Sequence, residues 1–383
     1  MKYREKKRMD AGGDGIKKIL FVGNVAKEHI LKFHVPTIRI FKENGWTVDV
    51  ACSGYDKVPL CDHQFHTCWR RSPFSFKTFQ GIRELKKIVH NGNYDIVYCH
   101  TPVGGLIARL AAKKTRMNGT KVIYFAHGFH FYHGAPKVNW LIYYPIEKYL
   151  TKYTDKIITN NNEDYTNANS KFKHVMHIYK VPGVGVDFDR LNIDVKDQIR
   201  EQYRNHLNIP KNALVLVYVA ELNKNKNQEM LLRTLHEIRK IEKDTYLLLI
   251  GPDHQNGYYQ EMAAKMKIDG AVRFLGWRYD IGELLNASDI CVASSIREGF
   301  GLNLVESMYC GLPVVASINR GHSTIIENGE NGFLVPINDY HAMAEKVLEI
   351  WHNSMLRSKF SQIDVSRYNT ARIAEKLYNI ITE

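Results

Sequence analysis

Two glutamates bracket the segment Glu298-Gly-Phe-Gly-Leu-Asn-Leu-Val-Glu306, and charge, backbone flexibility and a helix start converge in this stretch. Cys291-Val-Ala293 reads as the end of a buried strand, Ser294 to Asn303 as a polar turn, and Leu304-Val-Glu-Ser-Met308 as the opening of a helix. Gly299 and Gly301 let the backbone approach a ligand, and Phe300, Leu302 and Asn303 complete the loop. The unpaired N–H groups of a first helical turn favour an anionic group such as a phosphate. Glu306 is expected in that first turn, where its charge suits the helix dipole but repels the same phosphate. Its predicted task is therefore to accept hydrogen bonds from sugar hydroxyls. The plainer reading of the pair alone is a capped helix with two solvated acids.

Other residues fall where strands give way to loops. Lys226, in Val219-Ala-Glu-Leu-Asn-Lys-Asn-Lys-Asn227, follows a strand and precedes a helix, a place from which a lysine neutralises a pyrophosphate beside helix amides. Arg278, in Gly276-Trp277-Arg278, sits at a strand's carboxyl end beside an aromatic ring and can border a nucleobase or a phosphate. His127 directly follows the strand Lys121–Phe125 and precedes Gly128, with aromatic neighbours that supply apolar or sugar-stacking walls. His127, His130 and His133 have no carboxylate or cysteine to complete a metal set, so no metal is expected on them. Asp187-Phe-Asp189 has the Asp-x-Asp form of a divalent-metal site, but its place in a connecting segment reads as a turn and a helix cap.

The run Glu298 to Glu306, followed by Cys310-Gly-Leu-Pro-Val-Val-Ala316 and by Glu327-Asn-Gly-Glu-Asn-Gly-Phe-Leu-Val335, resembles the donor-binding core of the retaining glycosyltransferases of family 4. The resemblance covers nearly all of the chain after about residue 17. It implies that Glu298 lies against the donor sugar and its phosphates and that Glu306 binds the nucleotide ribose. The family pattern near Lys226 has an arginine five residues earlier, and this chain has Glu221 there; Lys224 is the nearest cation to take its place. By the same resemblance Arg278 borders the nucleobase pocket, and His127 contacts a donor-sugar hydroxyl. The Gly23-Asn24 turn and His34 belong to a loop near the acceptor and the departing phosphates. The segment His127-Gly-Phe-His-Phe-Tyr-His-Gly-Ala-Pro-Lys-Val-Asn-Trp140 is similar to a subgroup of bacterial enzymes of capsule and exopolysaccharide assembly. The resemblance also implies metal-independent chemistry with a nucleotide-sugar as co-substrate and no cofactor.

These loops need two sheets to hold them. Strand-like runs at Lys18–Gly23, Trp46–Ala51, Tyr94–Cys99, Lys121–Phe125 and Lys156–Thr159 alternate with helical segments, which predicts a parallel sheet covered on both faces. The Gly- and Pro-rich stretch Tyr179–Asp187 reads as an interdomain connection. The alternation then restarts at Leu214–Val219, Tyr246–Ile250, Val272–Leu275, Ile290–Val292, Pro313–Ala316 and Gly332–Val335. The expected fold class is α/β: two doubly wound Rossmann-like domains facing across a cleft, the GT-B arrangement of the family. The expected boundaries are a basic tail over 1–17, an acceptor-binding domain over 18–183 and a nucleotide-sugar-binding domain over 184–365. A terminal helix over 366–383 is expected to pack back on the first domain.

The charge is lopsided. Residues 1–180 carry 30 Lys and Arg against 14 Asp and Glu, whereas residues 181–383 carry 23 against 26. The basic half calls for an anionic partner: a membrane surface, a phosphorylated acceptor or nucleic acid. No Arg/aromatic recognition motif or helix-turn-helix pattern supports nucleic acid. No apolar run reaches the roughly 20 residues of a membrane span, and six scattered cysteines read as free thiols of a reducing compartment. The expected protein is cytoplasmic, held at the inner face of the plasma membrane by peripheral contact with anionic lipid. The expected activity moves a sugar from a nucleotide-sugar, a UDP-sugar by preference, to an oligosaccharide or polyprenyl-diphosphate-linked acceptor. The rival readings are a nucleotide-sugar epimerase of similar fold and a nucleic-acid-binding protein.

Overall fold

The computed structural model describes residues 16–69 and 75–383, so the expected tail over 1–17 lies outside the described residues except for its last two positions. The chain divides into two compact units, Met1–Tyr124 and Phe125–Glu383. In the first unit β1 (Lys18–Val25), β2 (Thr47–Ser53), β3 (His63–His66) and β4 (Ile96–His100) run parallel in the order β3-β2-β1-β4. Ile19, Leu20, Phe21 and Val22 of β1 are fully buried, as expected of a strand covered on both faces. Helices Val35–Glu43, Phe76–Gly92 and Pro102–Ala111 connect these strands, and β5 (Lys121–Ala126) carries the chain across the division.

In the second unit β6 (Lys156–Thr159) pairs in parallel with β7 (His177–Lys180). A six-stranded parallel sheet follows, built of β8 (Leu214–Val219), β9 (Thr245–Ile250), β10 (Val272–Gly276), β11 (Ile290–Ala293), β12 (Val314–Ser317) and β13 (Phe333–Val335). Its order is β10-β9-β8-β11-β12-β13. Strand order reverses between β8 and β11, and in open α/β sheets such a switch point opens a crevice at the strands' carboxyl ends. Lys226 follows β8 and Glu298 follows β11, so both emerge there. The last helix, Thr370–Thr382, buries Ile373, Ala374, Leu377, Ile380 and Ile381 along one face. It is fastened to the edge pair: the Lys156 ammonium donates to the Ile380 carbonyl at 2.8 Å, and the Tyr179 hydroxyl donates to the Glu383 carboxylate at 3.0 Å.

Three local expectations are corrected. The segment that holds the Gly23-Asn24 turn and His34, expected as a loop, is helical over Ala26–Ile30 and Leu31–Phe33, because Ala26 and Ile30 are buried one turn apart and no Gly or Pro intervenes. The stretch expected to connect the domains from Tyr179 begins with the end of β7. The helix expected from Leu304 begins at Leu302, because Gly301 takes φ 109 as its N-cap and turns the chain two residues earlier. Glu306 therefore stands in the second turn and not the first, away from the unpaired N–H groups.

Candidate active site

The site is built from the loops that leave β8, β11 and β12, all within the second unit. Asn227 in the left-handed conformation precedes the helix Gln228–Ile238, and the turn before it presents Lys226. The Lys226 ammonium donates to Glu298 Oε1 at 2.5 Å, and the Ser295 hydroxyl donates to the same oxygen at 2.6 Å. Burial pushes the Glu298 carboxyl up, but Lys226, His322 and the two hydrogen bonds outweigh it and hold the carboxyl below its ordinary range. Glu306 is the opposite case: burial raises it, and the guanidinium of Arg190 opposes that rise only in part. Arg190 Nη2 donates to Glu306 Oε1. Two carboxylates on one loop and helix are thus pushed in opposite directions, as their environments dictate.

The glycines of this loop and of the one after β12 are set by close contacts. A Cβ on Gly299 would lie 2.3 Å from the His127 carbonyl oxygen, and one on Gly321 would lie 2.7 Å from both Glu298 Cβ and the Phe300 carbonyl oxygen. The loop is also held by side chains from other segments. Asn161 Nδ2 donates to the Gly299 carbonyl at 3.0 Å, and Arg320 Nε donates to the Glu298 carbonyl at 3.3 Å. Arg320 pairs in turn with Asp164 at 2.8 Å; Asp164 is fully buried and also accepts from Asn161 Nδ2 at 2.7 Å and from the Phe129 N–H at 3.2 Å. His322 is fully buried, its Nδ1 lies 2.8 Å from the Ser317 carbonyl, and burial lowers its pKa against the pull of Glu298.

The remaining expected site residues take the following places. His127 stacks on Phe125 with ring centroids 4.3 Å apart, close behind Gly299. His130 stacks on Tyr143 at 4.5 Å, and the backbone N–H of His133 donates to Glu163. Arg278 is engaged by Asp280 two residues on, with Nε donating to Oδ1 at 2.7 Å. Glu221 is exposed and accepts from Asn223 Nδ2 at 3.3 Å, and Lys224 is exposed as well. Asp187 accepts from the Asp189 N–H at 3.2 Å ahead of a short turn over Asp189–Leu191. Phe300, Leu302 and Asn303 follow Glu298 into the helix, Phe300 packing with Tyr368 at 5.7 Å. In the first unit the Gly23 carbonyl accepts from Trp69 Nε1 at 3.3 Å and the Asn24 carbonyl from the Ser53 hydroxyl at 2.5 Å. His34 is fully buried with its ring 3.7 Å from that of His100.

Sequence reasoning did not single out Arg190, Asn161, Asp164, Ser295, Arg320 or His322. Asn161 and Arg320 do follow β6 and β12 within three residues, so a search of every strand's carboxyl end would have reached them.

Two family profiles match the chain: Glycosyl transferase 4-like over residues 18–161 and Glycosyl transferases group 1 over residues 199–364. The chain is 42% identical to the putative glycosyltransferase EpsD of Bacillus subtilis (strain 168) over 95% of its length and 96% of that protein. It is 27% identical to the UDP-Gal:alpha-D-GlcNAc-diphosphoundecaprenol alpha-1,3-galactosyltransferase of Escherichia coli, over 73% of this chain and 72% of that one. Among solved structures, Anabaena Alr3699/HepE in complex with UDP and glucose superposes with a TM-score of 0.76 at 17% identity, over 96% of this chain and all of that one. This last likeness shows the fold, the two Rossmann-like domains of GT-B. With the Lys226–Glu298 pair at the switch point of a parallel sheet and both profiles spanning the chain in order, the protein belongs to the glycosyltransferases of the group 1, 4-like family.

Proposed function

We propose that this glycosyltransferase moves a sugar from a UDP-sugar, with retention of configuration, to a glycan carried on a polyprenyl diphosphate, in the assembly of an exopolysaccharide or capsule. The observation that carries the reading is the ion pair of Lys226 and Glu298, set in the crevice where a doubly wound sheet binds its ligand. The named donor and lipid-linked acceptor of the Escherichia coli relative, and the UDP and glucose bound by the Anabaena protein, support the substrate classes.

In this mechanism the nucleotide diphosphate lies over the Gly299–Leu302 loop, and Lys226 turns from Glu298 towards the charge that develops on it. Glu298 then faces the sugar carbon as the glycosyl–phosphate bond breaks. The acceptor hydroxyl attacks from the face that the phosphate leaves, and its proton passes to a phosphate oxygen. His127 accepts a donor-sugar hydroxyl, Glu306 holds the ribose and Arg278 borders the base, while Gly23, Asn24 and His34 serve the acceptor side. With Glu221 in the place of the family's arginine, the cationic work rests on Lys226 and the loop amides, with no resident metal or cofactor.

The helix Lys137–Leu150 leaves Val138 54% and Leu141 76% exposed and carries Trp140, Tyr143, Tyr144 and Lys148, a composition suited to the interface of an anionic membrane. Among the described residues no helix is long and apolar enough to cross a membrane, so contact with the inner leaflet would be peripheral. The test is purified protein with a panel of nucleotide-sugars, with and without bacterial lipid extract, scored for nucleotide release, glycolipid and anomeric configuration. Failure of every donor in the panel to yield free nucleotide sinks the reading, an inverted product sinks retention, and conversion of the donor without acceptor points to an epimerase.

A further inference from the structure

The Asp187-Phe-Asp189 segment is followed by a side chain with a clearer task. We infer that Arg190 is a positioning residue that aligns Glu306 for the ribose and so makes the site select ribonucleotide over deoxyribonucleotide donors. This rests on the reading that Glu306 takes the ribose.

Arg190 Nη2 holds Glu306 Oε1, and among the described residues no donor reaches Oε2. A carboxylate fixed through one oxygen presents the other in one direction, which a pair of vicinal hydroxyls requires and a freely rotating carboxylate does not give. The Arg190 backbone is held in place by its neighbours. Phe188 stacks on Tyr309 of the helix Leu302–Tyr309 with centroids 4.1 Å apart and rings 5° from parallel. The Tyr309 hydroxyl donates to Asn192 Oδ1 at 2.5 Å. Leu191 backbone lies so close to Gly282, at the start of the helix after β10, that a Cβ there would meet it at 3.1 Å. The turn Asp189–Leu191 is therefore tied both to the helix that bears Glu306 and to the one that follows Arg278, the two edges of the expected nucleoside pocket. Arg190 itself is half exposed, with its side chain at 49%. The Asp187–Asp189 hydrogen bond, read from sequence as a turn, shapes the delivery of this arginine.

The experiment is calorimetric titration of wild type, Arg190→Met and Arg190→Lys with UDP, 2′-deoxy-UDP and 2′,3′-dideoxy-UDP, backed by donor KM and kcat. The expected result is a loss of about 10- to 100-fold in UDP affinity for Arg190→Met. The dideoxy nucleotide should bind wild type and variant alike, Arg190→Lys should recover part of the loss, and kcat should change by less than about threefold. An equal loss with all three nucleotides, or no loss at all, overturns the inference. Failure of the wild type to bind any of them, or a wild type indifferent to the ribose hydroxyls, overturns the Glu306 reading instead.

Discussion

Lys226 and Glu298 hold each other, and in the proposed mechanism a diphosphate competes for the ammonium. The depressed folded-state pKa of Glu298 sets the sign of its pH dependence. The ion pair contributes above the unfolded carboxylate value, about 4.3, and the contribution is lost as pH falls through the lower folded value. Lys226→Met removes the main lowering influence and leaves only His322 and the Ser295 hydrogen bond against burial. The acid limb of kcat/KM should then move to higher pH, while turnover falls by about 10²–10³. An unmoved acid limb would show that Glu298 draws its charge from elsewhere. Glu298→Gln and His127→Ala should each cut turnover sharply while the protein stays folded, and wild-type rates in both would remove them from the site.

The Asp164–Arg320 pair makes a separate prediction, because both side chains are nearly solvent-free. Arg320→Met alone should cost about 3–5 kcal/mol in chemical denaturation, since it leaves a buried carboxylate without its cation. The double change Asp164→Leu, Arg320→Met should regain most of that stability but not the activity, because the Glu298 carbonyl still lacks its donor. Recovery of both would reduce the pair to a stabilising contact.

At the scale of elements, the glycine contacts separate space from mere flexibility. Gly299→Ala should cost about 1–3 kcal/mol and most of the activity, because its methyl would meet the His127 carbonyl. Gly270→Ala, with nothing within 4 Å and an ordinary φ, should stay within about 0.5 kcal/mol of wild type. Equal effects at the two positions would show that the loop yields. The same scale explains what sequence could show. The strands β8 and β9 were legible because Leu214–Val219 and Tyr246–Ile250 are unbroken apolar runs buried on both faces. Two others, β3 and β7, escaped because His63-Gln-Phe-His66 and His177-Ile-Tyr-Lys180 are four-residue edge strands, half polar and partly exposed. Glu298 and Lys226 could be read since each stands beside a local signal of glycine or helix start. Asp164 could not, since its meaning lies in its pairing with Arg320 across more than a hundred residues; Asn161 and Arg320 could be reached by their place after a strand, but not the contacts that give them a task.

At the scale of the molecule, the basic excess of residues 1–180 and the exposed apolar residues of Lys137–Leu150 make a joint prediction. Binding to phosphatidylglycerol vesicles should be strong at low ionic strength and fall steeply towards 1 M salt, where the Debye length is about 3 Å. Leu141→Glu should weaken it at every salt concentration. Binding indifferent to both salt and anionic lipid would refute the membrane proposal.

The clasp between the last helix and β6 also bears on how the protein is made. Lys156 is 5% exposed, and its ammonium is met by the carbonyl of Ile380, a residue synthesised more than two hundred positions later. A nascent chain that has already emitted β6 and β7 must keep that lysine hydrated until the helix Thr370–Thr382 has been made. Chains stalled before residue 370 should therefore be digested at β6–β7 by a protease that spares chains carrying that helix.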